Sequence, residues 1–87
     1  MALNSGYTEK SVSDVKSLAK EDEEAVLKKL KQIQANPSHF EFLHRSSRVQ
    51  KARVGRLRII FRVEETVLKF YRVGERDKIY KEIRWLF

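Results

Sequence analysis

The stretch ARVGRLRIIFRVEETVLKFYRVGERDKIY, residues 52–80, decides the fold, because two runs in it alternate apolar and cationic side chains at the period of a β-strand. Leu57, Ile59, Phe61 and Val63 fall on one face and Arg58, Ile60 and Arg62 on the other, with Ile60 the apolar exception. After the short polar break Glu64-Glu65-Thr66, Leu68 and Phe70 continue the buried face while Lys69 and Tyr71 point away, and so short a break predicts a hairpin. Upstream, Val49, Lys51 and Arg53 alternate with Gln50, Ala52 and Val54, and Gly55 permits a tight turn into the next run. Antiparallel pairing of the three runs gathers Lys51, Arg53, Arg58, Arg62, Lys69 and Tyr71 on one face of a basic sheet.

Working outward, the chain before this sheet reads as helical. From Thr8 to about residue 20 the residues Val12, Val15, Leu18 and Ala19 form a narrow apolar stripe, with Ser11 and Asp14 at the spacing of a capping box. A second helix over about residues 21–35 opens on four acids, carries Lys28, Lys29 and Lys31 later, and aligns Val26, Leu27, Leu30 and Ile33; Asn36-Pro37 stops it. Two amphipathic helices joined by almost nothing form a hairpin whose stripes need a sheet to cover, which makes the fold α+β. At the start, Ala2 and Leu3 favour a short edge strand and Asn4, Ser5 and Gly6 oppose one, so the antiparallel sheet has three or four strands. Phe40, Phe42 and Leu43 are candidate anchors in the loop over residues 38–47. A final helix is expected within residues 78–87, where Ile79, Ile83 and Leu86 share a face and Trp85 and Phe87 pack back on the sheet.

Eighty-seven residues make one domain, 1–87, burying only about 60–65% of its unfolded surface. With no cysteine and only His39 and His44, neither a disulfide framework nor a metal site is expected, and no cofactor is implied. No apolar run approaches the roughly 20 residues of a membrane span, and the start lacks a signal-peptide pattern, so the expected location is the cytoplasm, with no membrane partner. The net charge of +7 is unevenly placed: residues 1–40 balance six lysines against six acids, whereas residues 41–87 hold thirteen Lys and Arg, including all nine arginines, against six acids. Arginine suits bidentate contact with phosphate, so the asymmetry points either to a polyanionic or acidic partner or to a solvated basic surface.

The order of these pieces resembles the RelE/ParE toxin superfamily. The helical hairpin ending in Asn-Pro is followed by Lys51, Arg53 and Gly55, then Leu57-Arg58, then Val73-Gly74, Arg76 and Tyr80, and the likeness runs from Thr8 onward. The resemblance implies a compact RelE-like α+β domain, a helical hairpin on an antiparallel sheet, masked by a RelB-like antitoxin of acidic or amphipathic character. In the RelE branch it further implies a metal-independent endonuclease that cuts messenger RNA in the ribosomal A site, by attack of a ribose 2′-hydroxyl on the adjacent phosphate. By match to family positions, Arg58 and Arg76 would hold the phosphate, Lys51 would take part in proton transfer and Tyr80 would stand near the reacting ribose or leaving group; Arg45 and Arg53 would hold substrate.

Each of these residues also has a plainer reading. Arg58 could pair with Glu64 or Glu75 on the surface, Arg76 could belong to a solvated turn, Tyr80 could be core, Lys51 could be solubilising and His44 a bystander. Leu57 and Phe61 stand where the family often has tyrosines, and Glu75 would repel a phosphate unless paired. A ParE-like toxin that binds DNA gyrase without catalysis is the alternative, and a degenerate member that binds only antitoxin or RNA is the third.

Overall fold

A computed structural model of the protein describes residues 4–42 and 49–83, without the side chains of Arg76, Glu82 and Ile83. In chain order the elements are β1 (Asn4–Tyr7), α1 (Glu9–Lys16), α2 (Lys20–Ala35), a 3-10 turn (Pro37–His39), β2 (Val49–Val54), β3 (Leu57–Glu64), β4 (Val67–Glu75) and α3 (Arg76–Ile83). The four strands lie side by side in the order β1-β4-β3-β2.

The alternating runs form the antiparallel heart of this sheet, with Arg53 opposite Arg58, Lys51 opposite Ile60 and Arg62 opposite Lys69. Gly55 has φ +58° in the β2–β3 turn, a backbone that other residues adopt only at a cost, and Glu65 holds φ +55° in the β3–β4 turn. Val26, Leu30 and Ile33 of α2 pack on Ala52, Leu57, Ile59, Phe61, Leu68, Phe70 and Val73, the face that the alternation marks as buried. The opposite face explains the exception: Ile60 is fully buried with Val49 beneath Ile79 of α3, with Tyr71 and Tyr80 alongside. Gly74 permits that contact, since a Cβ there would stand 2.9 Å from Ile79 Cδ1. The register slips between Ile60 and Phe61, which leaves Tyr71 as the extra residue of a bulge in β4.

Several expectations need correction. The sheet is mixed, because β1 pairs parallel to β4, Asn4 opposite Val67 and Tyr7 opposite Phe70. The strand forms from Asn4, Ser5 and Gly6 despite their low propensity: β4's open edge supplies backbone partners, and Tyr7 stacks on Phe70 at 5.2 Å. Thr8, not Ser11, caps α1, accepting from Ser11 N–H at 3.1 Å. The helix stops at Lys16 rather than near Lys20, and α2 starts at Lys20 behind an Ala19 cap. Leu27 and Val12 stay 44% and 40% exposed, so the helical stripes are narrower than the spacing suggests. Phe40 packs edge-on against Phe61 as an anchor, whereas Phe42 is exposed. The last helix starts at Arg76; Leu43, Trp85, Leu86 and Phe87 lie outside the described residues.

Where β1 ends, Thr8 and Asp14 take over its pairing with β4. Thr8 N–H donates to Phe70 O, Thr8 Oγ1 donates to Tyr71 O at 2.8 Å, and Asp14 accepts from Val73 N–H at 2.9 Å. The same Asp14 carboxylate holds the buried guanidinium of Arg72 through two bonds, of 2.8 and 3.1 Å. Removing one partner of a buried pair strands the other, so Asp14→Ala is expected to destabilise the domain by about 3 kcal/mol or more in urea unfolding. Leu27→Ser, on an exposed site, is expected to change stability by less than about 0.5 kcal/mol.

Candidate active site

A cleft of about 610 Å³ lies beside the edge strand β2. Its sheet wall carries Lys51, Arg53 and Arg58 with Tyr80 from α3, which brings together four of the six residues singled out from the sequence. Arg76 opens α3 directly after Glu75, the residue opposite Leu57, and its side chain is outside the described residues, as is all of Arg45.

Arg58 is buried in the central strand, and one of its terminal nitrogens donates to Gly55 O at 3.3 Å and to Leu57 O at 3.0 Å. Carbonyls orient the guanidinium without neutralising it. Neither acid that might have paired with it does so: Glu75 lies 3.8 Å from Arg56, and Glu64 lies 3.9 Å from Arg62. Among the described residues Arg58 has no carboxylate partner, and the residue directly across the strand pair is another cation, the exposed Arg53. Like charges opposed on a sheet repel, by an amount comparable to the 0.2–1 kcal/mol that opposite charges gain, roughly, and an anion between them reverses the sign.

Lys51 sits in a mixed environment. Its ammonium is 3.9 Å from a Glu41 carboxylate oxygen and 5.8 Å from the centre of the Tyr80 ring. The Glu41 backbone is tied to the strand, since Lys51 N–H donates to Glu41 O at 2.9 Å. The cleft therefore holds cations, one carboxylate and one phenol, a set able to bind a phosphate and to exchange protons beside it.

The far wall was not legible in the sequence. It consists of Lys29 and Gln32 from α2 with His39, Phe40 and Glu41 from the segment after it. Their neighbour Gln50 carried the available signal, a lone amide on the apolar side of β2. It is buried and donates to Pro37 O at 2.7 Å and Phe40 O at 2.9 Å, which fixes the 3-10 turn against the strand. Among the described residues no cluster of His, Asp and Glu is arranged to hold a metal ion, and no helix is long and apolar enough to cross a membrane.

Beyond the cleft, the same sheet face carries Arg62 opposite Lys69, and Lys69 Nζ stands 5.3 Å from the Tyr71 ring centre. The Tyr71 hydroxyl donates to Glu64. Burial, followed by that hydrogen bond and the Glu64 charge, pushes the Tyr71 phenol up to about 12, against a smaller lowering by Arg62.

A family model for the ParE toxin of type II toxin–antitoxin systems matches residues 7–80. Among solved structures, a mutant of the Escherichia coli toxin RelE in the free state superposes with a TM-score of 0.82 at 20% identity, covering 100% of both chains. The toxin–antitoxin complex RelBE2 of Mycobacterium tuberculosis gives 0.77 at 21% identity, covering 87% of this chain and 100% of that one. A chromosomal ParDE system of P. aeruginosa gives 0.73 at 12% identity, over 85% and 96%. No curated protein matches the sequence. At these identities the structural likenesses show a shared fold.

The Tyr71–Glu64 contact carries a pH signature. Because the folded value lies above the ordinary phenol value of 10, its contribution to stability is complete below about pH 10 and is lost as pH rises through about 12. Tyr71→Phe is expected to remove this alkaline loss and the late tyrosinate absorbance change near pH 12; an unchanged ultraviolet titration would contradict the contact.

Proposed function

The chain belongs to the ParE toxin family of type II toxin–antitoxin systems, and on that premise we propose that it is a metal-independent messenger RNA endonuclease acting in the ribosomal A site. One observation carries this reading: Arg58 and Arg53 face each other across the β2–β3 pair with no carboxylate partner for Arg58 among the described residues, in a cleft that also holds Lys51, Glu41 and Tyr80. A surface used only to dock a protein has no need to bury one of these cations and leave its charge uncompensated.

In the proposed reaction the ribose 2′-oxygen forms a bond to the adjacent phosphorus and the bond from phosphorus to the next 5′-oxygen breaks. The 2′-proton must be accepted and the 5′-oxygen protonated. Arg58, held by Gly55 O and Leu57 O, stabilises the growing phosphate charge, and Arg53 and Arg76 contribute further cationic contacts. Preorganised donors of this kind are worth about 3–4 kcal/mol each. Lys51 and Glu41, 3.9 Å apart, form the pair that takes part in proton transfer, and Tyr80 stands where it can serve the ribose or the leaving oxygen. The concern that Glu75 would repel the phosphate is eased by Arg56, 3.8 Å away.

The antitoxin partner follows from the same charge. RelE of E. coli and of M. jannaschii occurs in complexes with RelB, and an acidic or amphipathic antitoxin segment would here neutralise the basic face and exclude RNA from it. Messenger RNA and the ribosome are the remaining proposed partners, and the cytoplasm is the location where they meet.

The second reading, inhibition of DNA gyrase by binding, is favoured by the ParE family match and by Leu57 and Phe61 standing where related toxins often carry tyrosines. Cell-free translation and gyrase supercoiling assays separate the two. The native chain is expected to stop translation and spare supercoiling, and Arg58→Lys, which keeps the buried stem but loses the forked donors, is expected to weaken the inhibition about 100-fold. Loss of supercoiling with translation intact would overturn the endonuclease proposal.

A further inference from the structure

One amide stands where the alternation of β2 calls for an apolar side chain. Gln50 shares its face of the strand with Ala52 and Val54, lies opposite Phe61 and is only 3% exposed. A hydrocarbon side chain there would pack without the desolvation cost of an amide, so the amide answers a polar demand. The demand comes from two carbonyls: Gln50 Nε2 donates to Pro37 O at 2.7 Å and to Phe40 O at 2.9 Å, which engages both of its N–H donors. The 3-10 turn that supplies the first carbonyl has no side-chain cap of its own. The next two residues are tied to the same strand through the main chain, since Glu41 O accepts from Lys51 N–H at 2.9 Å and Phe42 bridges to Gln50. Glu41 therefore sits between two tethers. Its side chain is 82% exposed, so backbone rather than packing places the carboxylate 3.9 Å from the Lys51 ammonium.

We propose that Gln50 is a positioning residue of the cleft, holding the segment from Pro37 to Phe42 on the β2 edge so that the Glu41 carboxylate stays beside Lys51. With both donors engaged inside the protein, Gln50 has none to offer a substrate and acts through Glu41. The inference rests on the endonuclease reading for the step it serves, proton transfer at the ribose, and adds that the Lys51–Glu41 geometry is set from the core side of β2. Its signature lies in the chemical step rather than in binding. Arg58 is oriented by Gly55 O and Leu57 O and Arg53 by strand pairing, so the phosphate contacts do not depend on the Gln50 amide. A displacement of the proton-transfer pair slows the reaction with the substrate still held.

The test pairs Gln50→Met, which keeps the length of the side chain and removes both donors, with Glu41→Gln and the double variant. Single-turnover cleavage of messenger RNA on programmed ribosomes is followed over a range of ribosome concentrations. Gln50→Met is expected to lower the saturated rate about tenfold and to leave the half-saturating concentration within about twofold of native. Glu41→Gln is expected to lower the rate by about 100-fold, and the double variant to be no slower than Glu41→Gln alone, because a residue that acts through another adds nothing once that other is gone. Amide hydrogen exchange supplies a readout without RNA: the Lys51 amide is expected to exchange about tenfold faster in Gln50→Met, with the Ile59 and Phe61 amides still protected. Gln50→Asn, one methylene too short to reach both carbonyls, is expected to fall between native and Met in rate and exchange, and it decides the matter should the Met variant not fold. A native cleavage rate in the folded variant, or a double variant whose loss is the product of the two single losses, would overturn the proposal. If the native chain leaves the message intact while the Lys51 amide responds as expected, the endonuclease reading falls and the Gln50 tether stands; cleavage with an unchanged rate and unchanged exchange in the variants removes the tether alone.

Discussion

Burial of β3 on both faces is the constraint on which the rest of the structure depends. Leu57, Ile59 and Phe61 are covered by α2 and Ile60 by α3, so the strand cannot shift without exposing two apolar clusters at once. Arg58 lies within this run and inherits its rigidity. Its guanidinium is oriented by the carbonyls of its own turn, which leaves the charge available, and strand pairing sets Arg53 directly opposite. A cation oriented by carbonyls beside a second cation favours an anion, because the oriented charge needs no reorganisation when the anion binds. The turn at Gly55 and the missing side chain at Gly74 serve this arrangement, the first by closing the hairpin and the second by letting Ile79 seat on Ile60.

The buried ion pair and the cationic cleft lie at opposite edges of the sheet. At the β1 edge, Thr8 and Asp14 continue the hydrogen bonding of β4 past the end of β1, and the Asp14–Arg72 pair anchors α1 in a buried setting. At the β2 edge Arg56 lies 3.9 Å from Asp22 and 3.8 Å from Glu75, while Arg58 has no carboxylate partner among the described residues. Lys51, Arg53 and Arg58 are the cations of the second half of the chain that line the cleft among the described residues.

The strand periodicity was the most legible part of the sequence, because one face of β3 and β4 meets the main core and the other is apolar only beneath α3. The single misfit, Ile60, was a true signal: it marks the place where α3 covers the basic face. What could not be read were contacts between distant residues. Asp14 looked like a capping residue because its spacing from Ser11 is local, whereas its partners, Arg72 and Val73, lie 58 and 59 residues away. The parallel pairing of β1 was hidden for a similar reason, since backbone bonds to an open edge outweighed the low strand propensity of Asn4, Ser5 and Gly6. Lys51, Arg53 and Arg58 were found because they alternate along strands. Glu41 and His39 were missed because they reach the cleft through the segment after α2, and Gln32 because it comes from the last turn of that helix; no period links either to a sheet.

The central question is whether the cationic cleft cuts RNA. The most direct measurement is primer extension on a defined messenger RNA held on programmed ribosomes, mapping every new 5′-end after addition of the chain. A single set of ends within the A-site codon, absent with Arg58→Lys protein of the same fold, is the predicted result. An intact message in the presence of folded chain that still binds its antitoxin would contradict it.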